Sequence, residues 1–292
     1  MEYQGSSVGL QSVNIRALLW RSMPIKRPLA RGPFDIVGDV HGCLDELLAL
    51  LAVLDYEVQR QDGGFAVTPP QGRTLVFAGD LVNRGPATPD VLRLAMHMVR
   101  SGQALCVPGN QDVKLARALK GSTVEPTLGL ARALEQFGRE PEEFRGAAVA
   151  FLDALPSHYV LDCGKLVIAH AGLPERMQGS ASAKARAFAV GGAATGEIDE
   201  FGMPVRLDWA SEYRGRALVV FGHTPVPEPV WLNHTVNIDT GCVYGGHLTA
   251  LRYPELETVQ VPAKDVYQPS RRRWTVNDTL ASSVETGWKL QK

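Results

Sequence analysis

No apolar run in this chain approaches the roughly 20 residues a membrane-spanning helix needs, so the sequence offers no transmembrane segment. The stretch Ile15 to Trp20 is too short for a secretory h-region and carries Arg16, which argues against a signal peptide. Cysteine is scarce. Cys43, Cys106, Cys163 and Cys242 are widely spaced, with no C-x-x-C pair, a pattern that excludes a small disulfide scaffold and reads as reduced thiols of a cytoplasmic protein. An excess of charge is missing too: 30 Lys and Arg face 31 Asp and Glu, a formal net charge of −1, so no global positive field draws the chain to nucleic acid. A G-x-x-x-x-G-K-[ST] phosphate loop is also lacking, which excludes a P-loop kinase domain.

What the chain does have is 292 residues, 45% of them hydrophobic, enough for one large globular domain. Residues 1–33 read as a polar extension ending in Met23-Pro24-Ile25-Lys26-Arg27-Pro28, with a short amphipathic helix over Val8 to Trp20. A domain over 34–262 and a polar tail over 263–292, with the charge run Arg271-Arg272-Arg273, complete the division. The domain opens with a strand-loop-helix rhythm. Phe34 to Val37, Thr74 to Ala78 and Ala104 to Val107 read as short apolar strands, and the helices expected after them are Cys43 to Leu54, Pro89 to Arg100 and Asp112 to Leu119. That rhythm builds a mainly parallel sheet with its site at the carboxyl ends of the strands.

Asp62-Gly63-Gly64 marks a loop, and helical patterns over Gly129 to Phe137 and Glu142 to Ala154 form an insertion at about 121–155. Strands return at His158 to Leu161, Lys165 to Ala169 and Ala217 to Phe221. Between the last two, the Ala- and Gly-rich stretch Gln178 to Gly202 reads as an irregular loop near the site. Thr235 to Ile238 and Leu248 to Tyr253 look like a closing strand pair. The expected class is therefore α/β, with mixed sheets flanked by helices.

Five short motifs sit at the ends of these strands: Gly38-Asp39-Val40-His41-Gly42, Gly79-Asp80-Leu81-Val82-Asn83-Arg84-Gly85, Gly109-Asn110-Gln111-Asp112, His170-Ala171-Gly172 and Gly222-His223-Thr224. Each alone is a glycine turn beside a polar residue. Five in one order supply Asp39, His41, Asp80, Asn110, His170 and His223, a ligand set for two divalent cations. Two cations about 3.5–4 Å apart acidify a water and clamp phosphoryl oxygens, which is the chemistry of phosphate ester hydrolysis. The mixed oxygen and nitrogen donors suit Mn, with Fe, Zn and Ni as alternatives, better than Mg or Ca. Arg84 can present a bidentate fork to phosphate, and Arg206 is a weaker second clamp. The remaining histidines, His97, His158, His234 and His247, read as structural.

This motif series resembles the calcineurin-like metallophosphoesterases, in the phosphoprotein-phosphatase branch, over about residues 33 to 262. Leu155 to Asp162, Gly222 to Pro229 and Asn237 to Cys242 look most like the phosphatase domain of bacterial polynucleotide kinase-phosphatases and related asymmetrical diadenosine tetraphosphatases. The resemblance implies a sandwich of two mixed sheets. It also implies that Asp39, His41 and Asp80 hold one metal and Asp80, Asn110, His170 and His223 the other, that Arg84 binds phosphate, and that Asp239 supports the site. The expected partner is a phosphorylated small molecule, nucleotide or RNA end.

The departures matter as much. Asn83 stands where the family usually has Asp, and Gln111 where it has His, and in the family those two form the general-acid pair. Leu128 and Gly191 depart as well, where relatives tend to have His and Tyr. Loss of a general acid typically costs about 10²–10⁴-fold, roughly 3–5 kcal/mol. The penalty is felt for alkoxide leaving groups and shrinks for phosphate or phenolate. An active enzyme of this kind favours phosphoanhydrides. The alternatives are a dinucleoside polyphosphate hydrolase, a protein Ser/Thr phosphatase, or a catalytically impaired module that only binds phosphorylated ligands.

Overall fold

The computed structural model describes residues 23–200, 202 and 204–270. The expected helix over Val8 to Trp20 and the run Arg271 to Arg273 lie outside them.

Along the chain, β1 (Lys26–Arg27) and β2 (Phe34–Val37) precede α1 (Leu44–Val53). A hairpin of β3 (Glu57–Gln61) and β4 (Gly64–Thr68) leads to β5 (Thr74–Phe77), α2 (Thr88–Arg100), β6 (Ala104–Cys106) and α3 (Asn110–Leu119). The insertion is α4 (Leu128–Gly138) and α5 (Glu142–Ala154). Then come β7 (Tyr159–Leu161), β8 (Leu166–Ile168), α6 (Ala183–Gly191), β9 (Ala194–Ile198), β10 (Pro204–Arg206), β11 (Leu218–Phe221), β12 (Val230–Leu232), β13 (Thr235–Asn237), β14 (His247–Tyr253) and β15 (Glu257–Pro262).

Two sheets face each other. One is six-stranded in the order β1-β7-β8-β11-β13-β12, the other five-stranded in the order β15-β14-β2-β5-β6. Their inner faces meet in a core of Phe34, Ile36, Val76, Leu105, Tyr159, Ile168, Val220 and Val236. The outer face of the five-stranded sheet is closed by α1, α2, α3 and the insertion through Leu47, Leu51, Leu92, Leu115 and Phe151. That of the other sheet is closed by α6 and Trp209. Strands buried on both faces must be apolar throughout, as Leu166–Ile168 and Ala104–Cys106 are. Asp35 breaks this rule inside β2, and Arg73 and Tyr56 hold its carboxylate at 2.9 and 3.0 Å.

The central strands are parallel where it counts. β2 pairs with β5, β5 with β6, β8 with β11 and β11 with β13, all in parallel. Every motif follows the carboxyl end of one of these strands, so all five reach the same edge of the sandwich.

Three expectations need correction. Gln178 to Gly202 is not an irregular loop: Ser182 caps α6 by accepting the Ala185 N–H, and β9 pairs with β10. The alanines that suggested irregularity are good helix formers, and Gly192, at φ 66°, ends the helix. Asp62-Gly63 is the tight turn of the β3–β4 hairpin. Thr235 to Ile238 and Leu248 to Tyr253 do not pair with each other. β13 pairs with β11 and β12, and β14 with β2 and β15, because each strand finds its own hairpin partner in a different sheet. The segments flanking 34–262 also pack on the body: β1 pairs with β7, and the Lys264 amide and Tyr267 hydroxyl both bond Glu46.

Candidate active site

Five of the candidate residues sit in left-handed backbone: His41 (φ 48°), Asp80 (φ 49°), Asn83 (φ 68°), Arg84 (φ 70°) and His223 (φ 72°). That conformation is costly for a side-chain-bearing residue and clusters where the chain must turn sharply to aim a functional group. The turns are locked together by backbone bonds, with the amides of His41 and Gly42 donating to Asp80 O and Leu81 O. Glycine is obligatory at two points of close approach. A Cβ on Gly109 would lie 2.0 Å from Asp80 Oδ1, and one on Gly222 would lie 2.3 Å from Asp39 Oδ1.

The six candidate ligands converge. Asn110 Oδ1, His170 Nε2 and His223 Nδ1 lie 2.9–3.3 Å from one another, and Asp80 Oδ1 is 3.5 Å from His170 Nε2. On the other side, His41 Nε2 is 3.6 Å from Asp80 Oδ2 and 3.8 Å from Asp39 Oδ2. Asp80 thus turns one oxygen toward each group.

Both sets fit a cation. His41 and His170 present Nδ1 to the carbonyls of Val82 and Ala78 at 3.1 Å, an arrangement that puts the proton on Nδ1 and leaves the Nε2 lone pair facing inward. Burial pushes all three imidazoles down to about 3, so they are neutral at ordinary pH. Burial, and then the neighbouring carboxylates Asp239 and Asp80, drive Asp39 up, and burial takes Asp239 up to about 7. Asp39 Oδ2 and Asp239 Oδ2 are buried without a hydrogen-bond partner. Lone pairs crowd against lone pairs and negative charge against negative charge, an arrangement that divalent cations relieve.

The supporting residues divide into those expected and those missed. Arg84 reaches the first set, with Nη1 2.5 Å from His41 Nε2, and lies over the Tyr244 ring at 5.5 Å. Asp239 is buried and accepts the Gly241 N–H at 3.1 Å. Arg206 donates to Gly191 O at 2.8 Å, and its charge helps lower His170 and His223, so it borders the second set. Asn83 is fully buried, and its Nδ2 lies 3.2 Å from Gln111 Oε1.

Asp112 was overlooked in the sequence. Its two oxygens accept the Leu81 N–H at 3.0 Å and the Gly109 N–H at 2.8 Å, clamping the second motif to the third. An acid at the third position of a helix that begins in a ligand motif was the available signal. The insertion also contributes: Gly129 O accepts the Arg84 N–H, and Arg132 Nη1 donates to Arg84 O at 3.0 Å. Leu128 stands 89% exposed beside them. His158 lies apart from this site, bonded through Nε2 to the Gly179 N–H.

A strand-edge site of this composition on a two-sheet sandwich is that of a metallophosphoesterase, and the sequence profile of calcineurin-like phosphoesterases matches residues 32–248. The chain belongs to this family of divalent-metal hydrolases. It is 45% identical over 244 residues to an asymmetrical bis(5'-nucleosyl)-tetraphosphatase PrpE of Anoxybacillus flavithermus, covering 82% of this chain and 98% of that one. Against the protein of the same name from Bacillus subtilis, identity is 42% over 246 residues, with 82% and 98% covered. A solved structure described as a candidate diadenosine tetraphosphatase superposes with a TM-score of 0.58 at 28% identity, covering 83% of this chain and 98% of that one. Among the described residues, no helix is long and apolar enough to cross a membrane.

Proposed function

We propose that this chain hydrolyses the phosphoanhydride bridge of dinucleoside polyphosphates, splitting a tetraphosphate into unequal products. What supports this reading is the pair of amides Asn83 and Gln111, which stand where the family resemblance puts a general acid, beside the converging candidate metal ligands. Asn83 and Gln111 face each other across 3.2 Å, and neither side chain has a proton to give at neutral pH. A sugar alkoxide leaves poorly without that proton. A nucleoside triphosphate leaves readily, because its charge is already spread over phosphate oxygens. The names of the curated relatives point to the same substrate.

In this reading Asp39, His41 and Asp80 hold one divalent cation, and Asp80, Asn110, His170 and His223 hold the other. The oxygen and nitrogen donors suit Mn, Fe, Zn or Ni. Bound there, the pair supplies charge neutralisation at the phosphoryl oxygens and an acidified water as nucleophile. The protein's own groups do the rest. Arg84 steers a non-bridging oxygen with its fork, buttressed by the α4 backbone, and Arg206 faces the more distal phosphates. Asp239 and Asp112 hold the loops in register.

The test is product analysis of diadenosine tetraphosphate incubated with the full chain and Mn²⁺. AMP and ATP in equal amounts are expected. Two molecules of ADP, or no turnover, would overturn the proposal, the latter in favour of a module that only binds phosphorylated ligands.

A further inference from the structure

The proposed chemistry makes no use of the thiols, yet two of them meet. Cys43 is the residue before α1, and Glu46, three positions on, shares its side of the first turn. Cys242 opens the short turn Cys242–Tyr244 that follows Asp239-Thr240-Gly241. One ligand atom from each of the three lies within 4.8 Å of the others. All three residues are buried, at 0%, 1% and 1% exposure for Cys43, Glu46 and Cys242.

Glu46 is half-satisfied. Its Oε1 accepts the Lys264 N–H and the Tyr267 hydroxyl, each at 2.8 Å. Its Oε2 is buried with no hydrogen-bond partner. A buried carboxylate oxygen without a donor is expensive, and here it accompanies two sulfurs.

We propose that Cys43, Glu46 and Cys242 form a third cation site, selective for a soft divalent metal of the zinc class and chemically distinct from the oxygen-and-nitrogen pair of sites next to it. Two thiolates and a carboxylate are a zinc donor set, with a fourth position left for water. Bonds of about 2.3 Å to sulfur and about 2.0 Å to oxygen put tetrahedral ligand atoms roughly 3.5–3.8 Å apart, so side-chain movements of about 1 Å close the site. Binding exchanges the two thiol protons for one cation and involves no oxidant or reductant.

The position gives the site a purpose. Cys43 lies two residues after His41 and Cys242 three after Asp239. A shared cation ties the loop after β2 to the loop after β13, strands of opposite sheets. The site thereby fastens both sides of the sandwich edge beneath the catalytic loops, whatever the substrate.

The test uses the full-length reduced chain, freed of metal by chelation and titrated with Co²⁺. Nitrogen and oxygen ligands give no intense sulfur-to-cobalt charge-transfer band, so such a band in the near-ultraviolet, with the intensity of one thiolate-bound cobalt among three bound per chain and bleached by one equivalent of Zn²⁺, is expected. Cys43→Ser/Cys242→Ser should bind two ions and lack the band. Because the wild-type spectrum decides alone, misfolding of that variant would not rescue the idea. Saturation at two cobalt ions without the band would overturn it, as would a Cys43–Cys242 disulfide that persists in thiol reductant.

Discussion

The Asn83 side chain donates from Nδ2 to Gln111 Oε1 at 3.2 Å and to Gln111 O at 3.3 Å, while the Gln111 amide N–H donates to Asp80 Oδ1 at 2.8 Å. The two amides are therefore coupled to each other and to the proposed bridging ligand. Their geometry is that of an oriented pair, with a neutral contact where an ion pair would orient a proton donor.

Restoring the pair as Asn83→Asp with Gln111→His should raise kcat/KM for alkyl phosphomonoesters by about 10²–10⁴-fold and leave phosphoanhydrides nearly unchanged. The imidazolium helps only where leaving-group protonation limits the rate, and the carboxylate keeps it charged. Neither single change should recover the full gain, since the two act as a unit. Equal acceleration of both substrate classes at saturating Mn²⁺ would show that these positions do not hold the acid's place.

Asp80→Ala should abolish metal binding at both catalytic positions, because its two oxygens face different ligand groups. Asn110→Ala should weaken one. Titration with Mn²⁺ followed by elemental analysis distinguishes them, and full occupancy in Asp80→Ala would refute the shared-ligand assignment.

Asp112→Ala leaves the Leu81 and Gly109 amides buried without an acceptor. Each unpaired amide costs about 1–3 kcal/mol, so the variant should lose roughly 2–6 kcal/mol in urea unfolding of the metal-free chain. A loss below about 0.5 kcal/mol, within the range of ordinary surface substitutions, would mean the clamp is not structural.

His158 predicts a pH effect separate from the metal site. Burial lowers it to about 4 from an ordinary 6.5, so the fold favours the neutral ring. The unfolded chain binds the proton first. Stability from this group is therefore complete above pH 6.5 and drains as pH falls toward 4, by roughly 2 kcal/mol at pH 5. His158→Gln keeps an acceptor for the Gly179 amide, and its unfolding free energy should fall less between pH 7.5 and 5 than that of wild type. Parallel pH profiles would remove His158 as the cause.

Much of this was written locally in the chain. The six candidate ligands could be read because each follows an apolar strand and sits beside a glycine or small residue, so the local turn alone aims them. The two-sheet sandwich was expected from family resemblance, whereas the pairing of β13 and β14 was misread. Both strands are short and apolar, and choosing their sheets depends on hairpin partners that periodicity does not reveal. Asp112 was passed over because its role lies in two amides 3 and 31 residues away. The support that α4 gives Arg84 depends on how the insertion folds back, which no motif records. The helix over Ala183–Gly191 was obscured by alanine and glycine that looked like loop composition.

The most direct measurement is the ratio of kcat/KM for diadenosine tetraphosphate to that for a matched sugar phosphomonoester, on the wild-type chain at saturating Mn²⁺. With amides at positions 83 and 111, the tetraphosphate should be preferred by at least about 10²-fold, the low end of what a general acid contributes. A ratio near one, or a preference for the monoester, would contradict the assignment of this site to anhydride cleavage without a general acid.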